Sequence, residues 1–325
     1  EYQNPLIITE YEVDEEMYEV KTKIISQCVT KNHGMFVSRR SSKNKKEIYL
    51  PYELIEAHNV QGRKRLKYKT NGINTNPDID SYSFGKTTVP MDLWLQYLGI
   101  WVSDGYLSKD GVQINVSRPR KIKFITNVLN AIGVKYKSYT YKHEDREPRT
   151  YIRVTDHDWR HEFAILSVGT ENKYLPEYVW KLSQRQSNIL LNSLIEGDGT
   201  KDRNSVSFTT SSKRLIDDFQ RLCIHSGYSG NSRLNHEAGY THEIRGKEVT
   251  TRHDSYDISV IKKMCQPAIH DGKKDESTID RFIHYNGKVV YIQVPNYTLF
   301  VRRNGKVSIM RLPNSAQIAF FTYSY

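Results

Sequence analysis

The sequence predicts an α+β protein built around an internal duplication, with separate flanking segments at either end. Two stretches carry that expectation, Tyr97-Leu-Gly-Ile-Trp-Val-Ser-Asp-Gly105 and Leu191-Asn-Ser-Leu-Ile-Glu-Gly-Asp-Gly199. Each is a mostly apolar helical run ending in Asp-Gly, and the two aspartates are 198 − 104 = 94 residues apart. The same offset relates the residues downstream of each. Val112, Ile114 and Val116 alternate with Gln113, Asn115 and Ser117, and adding 94 gives Val206, Phe208 and Thr210 alternating with Ser207 and Thr209. Alternation with period two predicts strands with one polar face. A helical pattern comes next in both copies, with Ile122, Ile125, Val128 and Leu129 in the first and Ile216, Phe219, Leu222 and Cys223 in the second. Gly133 and Gly227 then come after Gly105 and Gly199 by the same 28 residues, each suited to a left-handed helix cap. A repeat that keeps strand, helix and cap in step predicts one structural unit used twice.

Within the two stretches, Gly99 with Ser103 and Ser193 with Gly197 are small residues four apart, hence on one helix face. Small side chains there allow two helix backbones to approach closely, and such a pairing would bring Asp104 and Asp198 to one point. A carboxylate at a helix C-terminus faces the negative end of the macrodipole, and two side by side repel. The arrangement is costly without a cation, so a divalent metal site is expected.

The paired motifs resemble those of the LAGLIDADG homing endonucleases over roughly residues 86 to 270. That resemblance implies a pseudo-twofold duplicated αββαββα core with saddle-shaped antiparallel sheets, and a chain that is monomeric through its internal pseudo-dimer. It implies a site-specific double-strand break in a long DNA target by Mg²⁺-dependent phosphodiester hydrolysis, with Mn²⁺ or Ca²⁺ able to substitute in binding. Asp104 and Asp198 would be the catalytic metal ligands, with Gly105 and Gly199 beside them. Hard oxygen ligands suit Mg²⁺, which lowers the pKa of a bound water. The first motif departs from the family pattern at Trp101 and Val102, bulkier and less polar than usual. Glu196 is two residues before Asp198 and points elsewhere on a helix. A basic residue is expected near each metal, Arg153 for the first half and Lys262 or Lys263 for the second.

At the N-terminal end, residues 1 to 20 hold seven acidic side chains and no Lys or Arg, whereas Arg39 to Lys69 hold ten Lys or Arg against three Glu. Two basic clusters, Arg39, Arg40, Lys43, Lys45 and Lys46, then Arg63, Lys64 and Arg65, flank Leu54 to Val60 and are candidates for phosphate contact. Tyr18 to Arg40, with Thr30-Lys-Asn-His33 inside it, resembles the Thr-x-x-His block of intein splicing domains. Val290 to Lys306 resembles their closing strands. This second resemblance implies a mostly β, Hint-like domain made of residues 1–85 packing with 276–325, around endonuclease copies at 86–185 and 186–275. Splicing itself lacks its groups: Glu1 cannot perform the first acyl shift, and Asn314-Ser315 is preceded by Pro313 instead of His. The flanks are expected to be a splicing-domain remnant or one piece of a split intein, kept as an extra DNA-contacting module.

Residues 71 to 90, rich in Asn, Gly, Ser, Thr and Pro, read as a linker, and Pro90 precedes the first central helix. In the first copy Gln113, Asn115, Ser117 and Arg118 should present a polar face to base edges, since Gln and Asn pair bidentately with adenine and Arg with guanine. A helix is expected from about Arg120 to Ile132, then strands over 134–141 and 150–154 lined by Lys135, Lys137, Lys142, Arg146, Arg149 and Arg153. Lys173 to Trp180 reads as a Pro-started helix. His157 and His161 are four apart but have no evident third ligand for a metal. In the second copy Arg203, Ser207, Thr209 and Arg233 are the corresponding candidates. The charged stretch His242 to Asp254 reads either as an extended loop reaching along DNA with Arg245, Lys247 and Arg252 or as a disordered segment, before Tyr256, Ile258 and Val260 resume alternation.

Composition points to a polyanionic partner: formal net charge +11, pI near 9.3, and 23 tyrosines able to stack or to donate to phosphate. A mean hydropathy of −0.66 and the absence of a long apolar run argue against a membrane span. No signal-peptide pattern opens the sequence, and Cys28, Cys223 and Cys265 form no close pair, so an intracellular, reducing compartment is expected. The alternative function is a DNA- or RNA-binding maturase or regulator on the same scaffold.

Overall fold

A computed structural model describes residues 4–43, 46–143, 146–203, 205–244, 247–269, 278–311 and 321–322. Lys45, Arg245, Glu1, Pro313, Asn314 and Ser315 lie outside the described residues, as do the side chains of Lys43, Lys46, Arg146 and Lys247. The chain divides into two compact units, one of Glu1–Gly72, Tyr228–Asn231 and Ile261–Tyr325, the other of Ile73–Gly227 and Ser232–Val260.

The second unit carries the duplication. Its α-helices are α1 (Met91–Asp104), α2 (Pro119–Ile132), α3 (His157–Leu166), α4 (Gln184–Asp198) and α5 (Lys213–His225). Helix α1 is buried on nearly every side, with Trp94, Leu95, Leu98 and Ile100 all at 0 % exposure, which is the pattern of a core helix. Trp94 stacks on Tyr82 and meets Trp159 and Phe163 edge-on or tilted, so the aromatic residues of α1 and α3 form the core beside it. Side chains cap α3, α4 and α5, whose first N–H groups lack partners within the helix. Asp156 accepts from Asp158 and Trp159, Ser183 from Gln186, and Ser212 from Leu215. Gly133, at φ 80°, closes α2 in the left-handed conformation that sequence spacing predicted.

After α1 come strands Gly105–Ser108 and Gly111–Val116, then α2; after α4 come Gly199–Lys201 and Val206–Thr210, then α5. Gly105 opposes Ile114 and Gly199 opposes Phe208, so both members of the pair move by 94 and the strand register is repeated. The first sheet is completed by Arg146–Val154 and Tyr136–His143, each antiparallel to its neighbour. The second continues with Ser255–Ile261, antiparallel to Val206–Thr210.

Three expectations are corrected. Residues 71 to 90 are no loose linker: Asn74 bonds to Gln184 and Leu182, Asp78 to Ser183 and Arg185, and Ile79 N–H to Gln186. Strands Ser81–Phe84 and Thr87–Pro90 then pair as a hairpin, so the short polar side chains serve as partners for α4. Lys173 to Trp180 yields only a short 3₁₀ segment, Glu177–Lys181, because five residues ended by extended Leu182 are too few to sustain an α-helix. The stretch from His242 folds back as Thr241–Ile244 against Lys247–Thr250, where β-branched Thr241 and Thr250 face each other with hydroxyls 3.0 Å apart.

In the first unit Ile7–Lys21 lies antiparallel to Ile279–Gln293 residue for residue, from Ile7 opposite Gln293 to Lys21 opposite Ile279. These strands join Ser26–Thr30 and Phe321–Thr322 in a closed barrel. Tyr18, Val20, Ile25, Val29, Met35, Val37, Leu66 and Tyr68 form the core of this unit. Residues from both ends of the chain therefore build one unit. Among the described residues, no helix is long and apolar enough to cross a membrane.

Candidate metal centre and nucleic-acid interface

Helices α1 and α4 pack where their small residues face one another. A Cβ added to Gly99 would meet Ser193 Cβ at 2.6 Å, and one added to Gly197 would meet Ser103 Cβ at 2.3 Å. Because 99 + 94 = 193 and 103 + 94 = 197, these are one contact seen from both sides of a pseudo-twofold axis. Ser103 Oγ donates to Gly99 O at 3.0 Å within its helix and lies 3.3 Å from Leu194 O across the pair. The helix ends need glycine for space: a Cβ on Gly105 would strike Trp101 Cδ1 at 2.3 Å, and one on Gly199 would strike Ile195 O at 2.5 Å. Trp101 is buried against Phe163 with ring centroids 4.4 Å apart, and the edge of its indole lies against Gly105.

This pairing brings Asp104 and Asp198 to one cleft of about 420 Å³, lined also by Asn115, Ser117, Arg118, Lys121, Arg149, Gly197, Gly199 and Thr200. Asp198 keeps an exposed face on the cleft. The protein packed around the rest of it, followed by the charge of Asp104, pushes its pKa up to about 6 against the opposing pull of Lys121 and Lys173. Asp104 is held differently, with its Oδ2 only 2.6 Å from Lys121 Nζ in a pair whose side chains are 21 % and 10 % exposed. Lys173 Nζ donates to the Ser103 carbonyl at 2.7 Å, supplying a partner to one of the orphan carbonyls at the end of α1. Burial holds its pKa below the usual lysine value, while Asp198 and Asp104 oppose that shift.

The donor set fits a hard divalent cation. Mg²⁺ typically takes one or two carboxylates and keeps several waters or phosphate oxygens, so Asp104 and Asp198 with the backbone at Gly105 and Gly199 suffice. The Asn115 Oδ1 atom, buried at the cleft with no hydrogen-bond partner among the described residues, is a further acceptor. Among the described residues no group of three or more His, Cys, Asp or Glu could hold a metal, including around His157, whose side chain is 92 % exposed.

Beyond the cleft, strand alternation sorts the first sheet into two faces. Val112, Ile114, Val116, Ile152 and Val154 are buried on one. The other carries Lys137 opposite Arg153, Tyr139 opposite Tyr151 and Tyr141 opposite Arg149. Tyr139 and Tyr151 stack at 5.4 Å, and Tyr141 stands edge-on to both. Lys135, Lys137, Lys142 and Arg149 are exposed. Gln113 corrects the expectation of an open base reader: it is 3 % exposed, because its amide bonds to Tyr106 Oη and accepts from Arg153 Nε at 2.9 Å. Arg153 also bonds Tyr139 Oη and pairs with Asp110 at 3.3 Å, and it is not among the residues lining the cleft. Glu196 is held by Arg120 at 3.1 Å and Lys201 at 3.5 Å.

Lys262 and Lys263 belong to the first unit, where the Lys262 ammonium is 5.1 Å from the Tyr228 ring centroid, and neither lines the cleft. Register explains the misplacement: Arg153 opposes Gln113, its copy equivalent opposes Ser207, and that residue is Ser259. In the second copy Thr209 Oγ1 donates to Asp257 at 2.7 Å and Arg233 is 3.5 Å from the same carboxylate, while Ser207 is half-buried and Arg203 and Arg252 are exposed. In the first unit Arg39 is committed to Glu53 through two bonds, at 2.5 and 3.1 Å. Arg40 is half-buried, Arg63 and Lys64 are exposed, and Arg65 adopts φ 59° with its N–H bonded to Ile269 O. Sequence reasoning missed Lys121 and Lys173. One signal was available for Lys121, which falls on the buried stripe of α2 with Ile125, Val128 and Leu129, where the other copy has Leu215.

The family model described as LAGLIDADG-like domain matches residues 186–255. Two curated relatives are each 28 % identical. One is a DNA-directed RNA polymerase subunit beta C-terminal section from Stigeoclonium helveticum, aligned over 357 positions and 93 % of this chain but 32 % of the relative. The other is an ATP-dependent Clp protease proteolytic subunit from Chlamydomonas moewusii, aligned over 72 % of this chain and 25 % of the relative. The chain thus spans about a third or less of these relatives' length. Among solved structures, a crystal structure of I-DmoI in complex with DNA and Mn is similar over 52 % of this chain and 89 % of that one, at 16 % identity and a TM-score of 0.36. Residues 186–255, within the second copy, are thus similar to a LAGLIDADG-like domain.

Proposed function

We propose that the chain is a site-specific, metal-dependent DNA endonuclease that cuts both strands of a duplex. The observation that carries this reading is the convergence of Asp104 and Asp198, one from each copy of a repeated unit, on a single cleft bordered by Arg118, Lys121 and Arg149. When bound there, Mg²⁺ would supply Lewis acidity and a water of lowered pKa. Asp104 and Asp198 would hold it. Arg118 and Arg149 present guanidinium forks that match phosphate oxygens and offset charge at the scissile group. Lys173 anchors the last turn of α1 through Ser103, so the carboxylate beside it is positioned before substrate arrives. Lys137, Tyr139, Tyr141, Arg149 and Tyr151 extend this surface along the sheet and would contact the duplex. A pseudo-twofold site suits two antiparallel strands, one cut in each.

The two relatives have unrelated named functions, transcription and proteolysis, yet each matches over a minor share of its length. A segment shared by otherwise unrelated proteins is what an inserted mobile element would leave. This supports reading the first unit as a splicing-domain remnant around the nuclease, with His33 at the buried centre of its Thr-x-x-His block. Mixing the chain with a candidate N-terminal fragment and looking for ligated flanks tests residual splicing.

The nuclease reading is tested by selecting cleaved sites from a random duplex library with Mg²⁺, then repeating the cut with Asp104→Asn and Asp198→Asn. Either substitution should abolish double-strand cleavage. Full cutting by both variants would overturn the assignment. A binding-only maturase or regulator is the second reading, favoured by the direct Lys121–Asp104 pair, which already neutralises one carboxylate; it predicts sequence-selective binding and no cleavage with any divalent cation.

A further inference from the structure

The two halves of the cleft are not equivalent, although the repeat relates them. Asp104 is paired at 2.6 Å with an almost fully buried lysine, whereas Asp198 has an exposed face and, among the described residues, no direct hydrogen-bond or ion-pair partner. The repeat shows why. Adding 94 to Lys121 gives Leu215, a core residue at 1 % exposure, so at this helix position only the first copy carries an ammonium to pair directly with its aspartate. Lys121 is also out of keeping with its own helix. It occupies the buried stripe of α2 with Ile125, Val128 and Leu129, and a lysine there is tolerable only with its charge compensated.

A divalent cation bound to either oxygen of Asp104 would sit within a few ångströms of the Lys121 ammonium, which already neutralises that carboxylate through Oδ2. Two cations cannot share that position without strong repulsion. The cleft also offers Lys121 another partner, because Arg118 and Arg149 line the same space and would draw a nucleic-acid phosphate into it. We propose that Lys121 is a tethered competitor for the metal at Asp104, so that this side of the centre is loaded when a DNA phosphate draws the ammonium away, while the Asp198 side is open from the start. DNA binding and metal binding are then positively coupled through one side chain, and the coupling is reciprocal. The inference rests on the metal centre of the proposed function and adds to it an order of loading and a residue that enforces it.

The test is calorimetric titration of Ca²⁺ into the full chain, with and without a random-sequence DNA duplex, for wild type, Lys121→Met and Lys121→Arg. Without DNA, Lys121→Met should bind Ca²⁺ on the order of tenfold more tightly than wild type, within the usual span of coupling between sites. Lys121→Arg, which keeps the cation, should behave as wild type. DNA should tighten binding to wild type and add little to Lys121→Met. Should Lys121→Met fail to fold, the aspartates give the same answer: without DNA, Asp198→Asn removes Ca²⁺ binding and Asp104→Asn barely changes it. Unaltered affinity in a folded Lys121→Met, or equal losses in the two aspartate variants, overturns the competitor role while leaving the metal centre standing. Absence of Ca²⁺ binding by wild type even with DNA would remove the metal centre itself, and this inference with it.

Discussion

Replacing Gly197 by alanine is the sharpest mechanical perturbation of the helix pair. An added Cβ would be 2.3 Å from both Cβ and Oγ of Ser103, where carbon atoms at rest stay about 3.5–4.0 Å apart. Ser103 cannot swing aside, since its Cβ is fixed to the α1 backbone, so the helices must part by roughly 1 Å. Overpacking of that kind costs about 1–3 kcal/mol, against a gain of about 0.5–1 kcal/mol from replacing a mid-helix glycine. These two ranges give a net loss of roughly 0–2.5 kcal/mol, centred a little above 1 kcal/mol. It should appear as a lower denaturant midpoint with an unchanged slope. The double variant Gly197→Ala with Ser103→Gly moves the small residue to the other helix and should recover most of the loss, a coupling that a double-mutant cycle reads directly. An ångström-scale shift at the same point should also slow cleavage by on the order of a hundredfold, because it displaces Asp198 from Asp104. If Gly197→Ala is as stable as wild type, or if Ser103→Gly gives no rescue, the close approach of the two helices is wrong.

The same geometry sets further outcomes. In the absence of added metal, Asp198→Asn should raise thermal stability above pH 6 and have no such effect below pH 4: the folded-state pKa of Asp198 is raised to about 6 from 3.8, so stability is lost as pH climbs between those values, and asparagine removes that loss. Melting temperatures across that pH window check it, and a mutant advantage confined to low pH would contradict it. Lys137→Ala and Arg149→Ala should each weaken DNA binding and flatten the dependence of log K on log salt by about one unit per lost phosphate contact, as measured by fluorescence anisotropy over a salt series. Trp94→Ala, at a fully buried site stacked on Tyr82 and donating to Tyr178 at 2.7 Å, should cost about 3–5 kcal/mol in chemical denaturation.

The parts of this protein legible in its sequence are those that repeat. Asp104 and Asp198, the small residues that let their helices meet, and the strand register after each were readable because both copies carry them at one offset. What breaks the repeat was not. Lys121 stands where the second copy has Leu215, and Lys173 comes from the connector between copies, so symmetry arguments pass over both. Lys262 and Lys263 lie beyond the register position in question, since the strand places Ser259 where Arg153 stands in the first copy. Gln113 looked like a free polar tooth of a strand, yet tertiary packing commits it to Tyr106 and Arg153, partners far from it in sequence or brought close only by strand pairing. The hairpin from Thr241 was hidden by its charge, because alternation of Thr, Glu and Val among lysine and arginine resembles a solvated loop.

The central claim is that two aspartates from two copies share one metal-binding cleft. Anomalous scattering from a crystal of the chain grown with Mn²⁺ and a DNA duplex tests it most directly. A manganese peak is expected within coordination distance, about 2.0–2.4 Å, of a carboxylate oxygen of Asp198 or Asp104, with both aspartates facing the same metal cluster. Manganese bound elsewhere, with the Lys121–Asp104 pair intact and DNA seated on the sheets, would contradict it and leave a nucleic-acid-binding protein on a duplicated scaffold.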